Sequence, residues 1–314
     1  MILFFVLMAA CLIAAIFAIG LYFWSIRAPL ASPEELHNFQ IHPDIPSLFK
    51  SLDGIKIHYH QVGQGPNLVF IHGLGASTFI WRKLLPELSR NFRVTAIDMP
   101  GFGRSQKALD FSYELDKMAD FVCRFLTAVN VDQFSLVGSS MGANIALWIT
   151  KNARERCSKV ISIAPATHQK LMRHPYALLQ FLAPLHYFIN RATISIALKN
   201  VIQDRHLITP EMIAGYLMPF RDKGEAWRCF LKSTRVIDDH RIPHELSELN
   251  LRPEFHHRIL FGDDDRVVHR WVQDELRKTL PRSEFEVLPG LGHHPFEEDP
   301  KKIATLIENF LGKQ

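Results

Sequence analysis

The chain has 314 residues, of which 47% are hydrophobic and 22% charged, with a formal net charge of +4. That length suits one large α/β domain with an insertion, and so slight a positive balance excludes the basic signature of a nucleic-acid binder. Cys11, Cys123, Cys157 and Cys229 stand far apart and the 16 histidines are scattered, so neither a disulfide framework, a metal site nor a cofactor is expected.

From Ile2 to Trp24 no residue is charged, and as a helix this run reaches roughly 35 Å against about 30 Å of bilayer hydrocarbon. It exceeds the apolar part of a signal peptide, no Lys or Arg precedes it, and Tyr22, Phe23 and Trp24 stand beside Arg27 as interfacial anchors. Residues 1–27 are therefore read as an uncleaved, single-pass N-terminal membrane anchor whose sidedness one arginine does not fix. A membrane localisation follows as an expectation. Ser32-Pro33-Glu34-Glu35 has the form of a capping box with proline at the first helical position. It predicts a short helix to about Gln40, inside a juxtamembrane linker spanning 28–46.

The body alternates strand and helix signals: a hairpin over about 48–62 turning at Asp53-Gly54, then strands near 68, 93, 134, 160, 258 and 284. This pattern predicts an α/β fold with a mainly parallel sheet flanked by helices. Residues 47–165 and 248–314 are assigned to that core. Between 166 and 247 the alternation lapses into helix-like, aromatic and basic sequence, including Trp227 to Arg235, read as an inserted helical cap.

Three loops carry the chemistry. Gly138-Ser139-Ser140-Met141-Gly142 follows the apolar run Phe134 to Val137 and precedes a helix-like stretch. In that setting a serine sits on a sharp turn where a base can reach it and backbone amides can receive an oxyanion. Arg258 to Phe261 reads as a strand running into Gly262-Asp263-Asp264-Asp265, which places carboxylates where one can orient an imidazole. Phe285 to Leu288 reads as another, followed by Gly290-Leu291-Gly292-His293-His294-Pro295, where a histidine can serve as base. The chain order is Ser, Asp, His.

From about residue 47 onward these features resemble an α/β-hydrolase-fold enzyme of the lipase and esterase type. Leu68 to Leu74, with its His72-Gly73 turn, resembles the strand and turn that precede the oxyanion hole, and Asp98-x-x-Gly101-x-Gly103-x-Ser105 resembles a loop common in the family. Gly292-His293 followed by Glu297, Glu298 and Pro300 resembles its histidine loop. The resemblance implies Ser140 as nucleophile, His293 as general base and then acid, and Asp265, at the family's Gly-x-x-Asp spacing, as the group that fixes the imidazole. Three adjacent carboxylates repel, so a single one facing the histidine is the expectation. The backbone N–H groups of Leu74 and Met141 are the implied oxyanion donors, His294 a flanking side chain and His72 a shaping residue.

The whole layout resembles membrane-bound monoacylglycerol lipases and bacterial membrane phospholipases A. It implies a membrane-anchored serine carboxylester hydrolase acting on a lipid-like ester. Serine at the elbow separates the chain from epoxide hydrolases and haloalkane dehalogenases, which carry aspartate there. Alternatives are an acyltransferase, suggested by the His294-x-x-x-x-Asp299 pattern, a general short-chain esterase, and a non-enzymatic lipid-binding protein. The oligomeric state is left open, a homodimer being one option.

Overall fold

A computed structural model describes residues 41–312, apart from 154, 158, 172–184, 187, 240 and 252–253. One eight-stranded sheet organises it, in the order β1-β2-β4-β3-β5-β6-β7-β8. The strands are β1 (Leu48–Leu52), β2 (Ile55–Val62), β3 (Asn67–Ile71), β4 (Arg93–Ile97), β5 (Ser135–Ser139), β6 (Lys159–Ile163), β7 (His256–Gly262) and β8 (Glu284–Leu288). β2 pairs antiparallel with β1 and with β4; from β4 to β8 every pairing is parallel. The hairpin turns where expected, because Asp53 and Gly54 both take positive φ, 51° and 76°, as a tight two-residue connection requires.

β3 shows why the middle of the sheet reads as an unbroken apolar run. Val69 and Ile71 enter one hydrophobic cluster, with Phe121, Phe125 and Ile145, while Leu68 and Phe70 enter another, with Trp81, Leu85 and Ile307. Side chains alternate across a strand, so a strand covered on both faces must be apolar at every position. Helices α1 (Leu115–Ala128) and α2 (Met141–Asn152) cover the first face. Between β6 and β7 the chain runs through α3 (Arg191–Val201), α4 (Pro210–Leu217), α5 (Lys223–Ser233) and α6 (Ile242–Ser247). Helix α7 (Arg270–Thr279) joins β7 to β8, and α8 (Pro300–Leu311) packs Ile303 and Ile307 on the second face. β4 and β5 leave the central β3 on opposite sides. That makes the carboxyl ends of β3 and β5 a topological switch point, where such sheets hold their ligands.

One expectation is overturned. Among the described residues no helix is long and apolar enough to cross a membrane, which contradicts the membrane localisation. The longest described helix, α1 with 14 residues, reaches about 21 Å, short of the ~30 Å of hydrocarbon, and it packs an amphipathic face on the sheet. The segment 1–27 read as an anchor, and the short helix expected to end near Gln40, lie outside the described residues.

β7 opens on the polar residues His256, His257 and Arg258, and the second of these has a structural task. His257 is buried, and its ring bridges Ser162 Oγ (2.8 Å) and Ser283 Oγ (2.9 Å). Burial pushes its pKa down to about 3, and burial followed by the neighbouring His58 takes that of His60 down to about 4. The unfolded chain protonates both rings near pH 6.5, whereas the folded protein resists protonation. Their stabilising contribution is thus fully present above about pH 6.5 and drains away as pH falls toward the folded values. Urea unfolding midpoints should fall steadily between about pH 6.5 and 4, and His257→Gln, which keeps a polar bridge without titrating, should flatten that slope.

Candidate functional site

Ser140 links β5 to α2 with φ 53° and ψ −116°, a conformation that costs a non-glycine residue about 1–3 kcal/mol. Its N–H donates to Ile163 O at 2.9 Å. The flanking glycines are there because nothing larger fits. A Cβ at 138 would lie 2.5 Å from Gly142 O, and one at 142 would lie 2.2 Å from Ile71 O. Gly73 rests against the same turn, its would-be Cβ 3.3 Å from Ser140 Cβ. This brings the turn after β3 into contact with the serine.

The loop leaving β7 and the loop leaving β8 meet beside it. Asp265 Oδ2 accepts from His293 Nδ1 at 2.8 Å, with both side chains almost wholly buried. The other oxygen, Oδ1, accepts the N–H groups of Val267 and Val268, each at 2.8 Å, which fixes the carboxylate. Asp263 instead accepts from Gly290 N–H, and Asp264 from Arg266. Of the three carboxylates, Asp265 is the one bonded to the histidine. With Nδ1 engaged, Nε2 is the ring nitrogen left for a reactant.

Ser140 and His293 line one cavity of about 520 Å³ together with Gly73 and Leu74. Its remaining walls are largely apolar and come mostly from the segment between β6 and β7, including Phe188, Ile194, Leu198, Trp227 and Phe230. Met141 opens α2, so its N–H has no carbonyl one turn back. Leu74 N–H, among the described residues, donates to no backbone carbonyl of a turn, loop or cap.

The other histidines have different occupations. His72 is fully buried, its Nδ1 on Gly73 O (2.8 Å) while Nε2 accepts from Met99 N–H (3.0 Å); burial above all lowers its pKa. His294 also borders the cavity, yet its Nδ1 bonds to the Tyr216 hydroxyl (3.0 Å), which donates to Glu297 Oε1 (3.2 Å). Burial, and then the adjacent His293, holds His294 well below the ordinary histidine range. Glu297 is buried and gripped by Arg82 through both oxygens, at 2.5 and 2.9 Å. Asp299 caps α8 by accepting from Lys302 N–H. The two ends of the His-x-x-x-x-Asp pattern therefore serve separate structural tasks.

Residues 66–203 match the family described as alpha/beta hydrolase fold. The hydrolase YugF of Bacillus subtilis (strain 168), itself of uncharacterized activity, is 31% identical over 269 residues, which cover 83% of this chain and 96% of YugF. The chain belongs to the alpha/beta-hydrolase family. Two solved structures share the hydrolase fold at lower identity. The Cif epoxide hydrolase from Acinetobacter nosocomialis superposes with a TM-score of 0.73 at 20% identity, over 90% of this chain and 97% of that one. A membrane phospholipase A described as a bacterial virulence factor superposes with a TM-score of 0.63 at 24% identity, over 97% of each chain.

Sequence reasoning about this hydrolase quoted Glu297 and Glu298 as motif positions without giving them tasks, and missed Tyr216 altogether. Tyr216 is an unremarked aromatic in a helix far along the chain from His294, and no local signal marks it. Glu298 holds the histidine loop to the end of α3: Oε1 accepts Gly292 N–H (2.7 Å), and Oε2 accepts those of Gln203 (2.8 Å) and Asp204 (3.0 Å). Hydrogen bonds to a charged group are each worth about 1.5–3 kcal/mol, less where solvent reaches them. Glu298→Ala should therefore lower stability by about 2 kcal/mol, read as a reduced denaturation midpoint. Among the described residues no group of three or more His, Cys, Asp or Glu side chains is placed to hold a metal ion.

Proposed function

We propose that the protein is a serine carboxylester hydrolase whose substrates carry a long apolar acyl chain, as in lysophospholipids, phospholipids and monoacylglycerols. The observation that carries this reading is the Asp265–His293 bond, at 2.8 Å, beside a serine that shares an apolar cavity with that imidazole. In acylation, His293 Nε2 takes the proton of Ser140 as Oγ attacks the ester carbon. Asp265 keeps Nδ1 protonated and steadies the imidazolium. The carbonyl oxygen gains its negative charge between the N–H groups of Leu74 and Met141, whose dipoles are already aimed before the reaction starts. His293 then protonates the departing alcohol, and a water activated by the same nitrogen releases the acid.

The substrate class rests on the walls. A cavity of about 520 Å³ is of the size that holds small-molecule ligands. The segment 166–247 acts here as a cap that excludes water and shapes the acyl subsite. A panel of esters with one alcohol and acyl chains of increasing length tests this. Each added methylene that reaches the wall buries about 0.8 kcal/mol of apolar surface. kcat/KM should rise about three- to fourfold per carbon until the cavity is full. A preference for acetyl esters would remove the long-chain reading and leave the serine chemistry standing. Transfer to an added alcohol in place of water would instead favour an acyltransferase, a reading that the separate tasks of His294 and Asp299 weaken.

A further inference from the structure

A second cavity, of about 330 Å³, lies where the β1–β2 hairpin and the loop 103–107 face the turn 218–222. It shares no lining residue with the cavity of Ser140. Lys56, Arg104, Lys107 and Arg221 all line it, against Asp222 as the sole carboxylate in the lining. The contacts of the first three are to uncharged groups. Lys56 Nζ stands 4.5 Å from the Phe49 ring centroid and Arg104 Cζ 5.4 Å from the same centroid. Arg104 also donates to Ser47 Oγ (2.7 Å), and Lys107 donates to Gly103 O (2.8 Å) and Ser105 O (3.3 Å). Arg221 and Asp222 approach only to 3.9 Å, with both side chains about half exposed.

Such an arrangement is costly without a counter-charge. Cations of one sign held in a concave place repel, and the low-dielectric walls around them amplify that repulsion. Burial lowers the pKa of Lys107, although Asp98 and Asp222 pull the other way. Most of the Arg104 fork and one Lys107 proton remain available as donors. Phe49, 40% exposed, closes one side as an apolar wall. Four positive groups against Asp222 in the lining and Asp98 buried behind the loop still leave a positive excess that suits a doubly charged oxyanion better than a single carboxylate, and the guanidinium fork matches phosphate geometry.

We propose that this cleft binds a phosphate-class oxyanion, either free phosphate or the phosphate of an esterified headgroup, held between the core residues Lys56, Arg104 and Lys107 and Arg221 of the segment between β6 and β7. Ester chemistry at Ser140 is not required for it. Isothermal titration of the full chain, with inorganic phosphate in one arm and glycerol 3-phosphate in the other, tests the site. Saturable binding that weakens with added salt is expected in at least one arm. Binding confined to glycerol 3-phosphate assigns a headgroup, whereas equal binding in both arms assigns the bare anion.

Lys56→Glu and Arg221→Glu, both at exposed positions, should each weaken binding about tenfold or more. Lys56→Gln should give a smaller loss. Lys301→Glu, an exposed change of equal charge on α8, should leave affinity as it was. The proposal is overturned by absence of saturable binding in both arms, by unchanged affinity in the two cleft reversals, or by an equal loss in Lys301→Glu. Far-ultraviolet circular dichroism of each variant separates lost binding from lost fold.

Discussion

Ser140→Ala should lower kcat/KM for any ester that the protein turns over by about 10⁴-fold or more, with the unfolding midpoint unchanged. The size follows from the division of labour proposed for the site. Without Oγ no acyl-enzyme forms, and His293 has no proton to take. What survives is binding in the apolar cavity plus the two amides, which together give only the residual acceleration of a site without its nucleophile. Stability should hold because alanine keeps the Cβ and the same strained backbone, φ 53° and ψ −116°. Ser140→Gly makes the complementary test. Glycine takes that conformation without a Cβ to clash, so this variant should be equally inactive yet more stable, by about 1–3 kcal/mol. Turnover that persists in Ser140→Ala would remove the mechanism, and a glycine variant no more stable than the parent would show that the turn stores no strain.

The elements that depend on local pattern were legible from the sequence. β3 announces itself as an apolar run because both of its faces are covered, and the hairpin turn announces itself because Asp53-Gly54 suits the positive φ found there. The elbow was legible for the same reason: its glycines stand where a side chain would strike Gly142 O or Ile71 O. What escaped was contact between segments far apart in the chain. Glu298 meets Gln203, Glu297 meets Arg82, and Tyr216 meets His294. Such pairings leave no periodicity and no spacing to read. The basic cleft escaped too, since Lys56, Arg104 and Arg221 become neighbours only when the hairpin and the turn 218–222 face one another. The placing of His257 between Ser162 and Ser283 is another such pairing. The membrane localisation went astray differently: it was inferred from a terminal run alone, and no helix among the described residues supports it.

Asp98→Ala should be the most damaging single change to stability, costing about 3–5 kcal/mol of a total that for a domain is about 5–15 kcal/mol. Asp98 is fully buried and serves as the hub of its loop. Oδ2 accepts from His58 Nδ1 (2.7 Å) and Arg104 N–H (2.8 Å), and Oδ1 accepts from Thr78 N–H (2.6 Å). Gly103 is glycine because its Cβ would fall 2.1 Å from Oδ2. Removing the carboxylate orphans three donors at once, two of them buried, and Asp98→Asn is no refuge. Whichever way the amide turns, its NH₂ must face Thr78 N–H or Arg104 N–H, donor against donor. Burial alone would raise this pKa, but the His58 ring, then His72 and the Thr78 amide, outweigh it and hold the carboxyl far below the ordinary range. The stabilisation is accordingly complete above the unfolded value near 3.8 and is lost only as pH drops through the lower folded one. Denaturant titrations should show the full gap between parent and Asp98→Ala at neutral pH. The damage should also reach the site, because Met99 N–H at the base of this loop bonds to His72, which bonds in turn to Gly73 O, and Gly73 rests against Ser140.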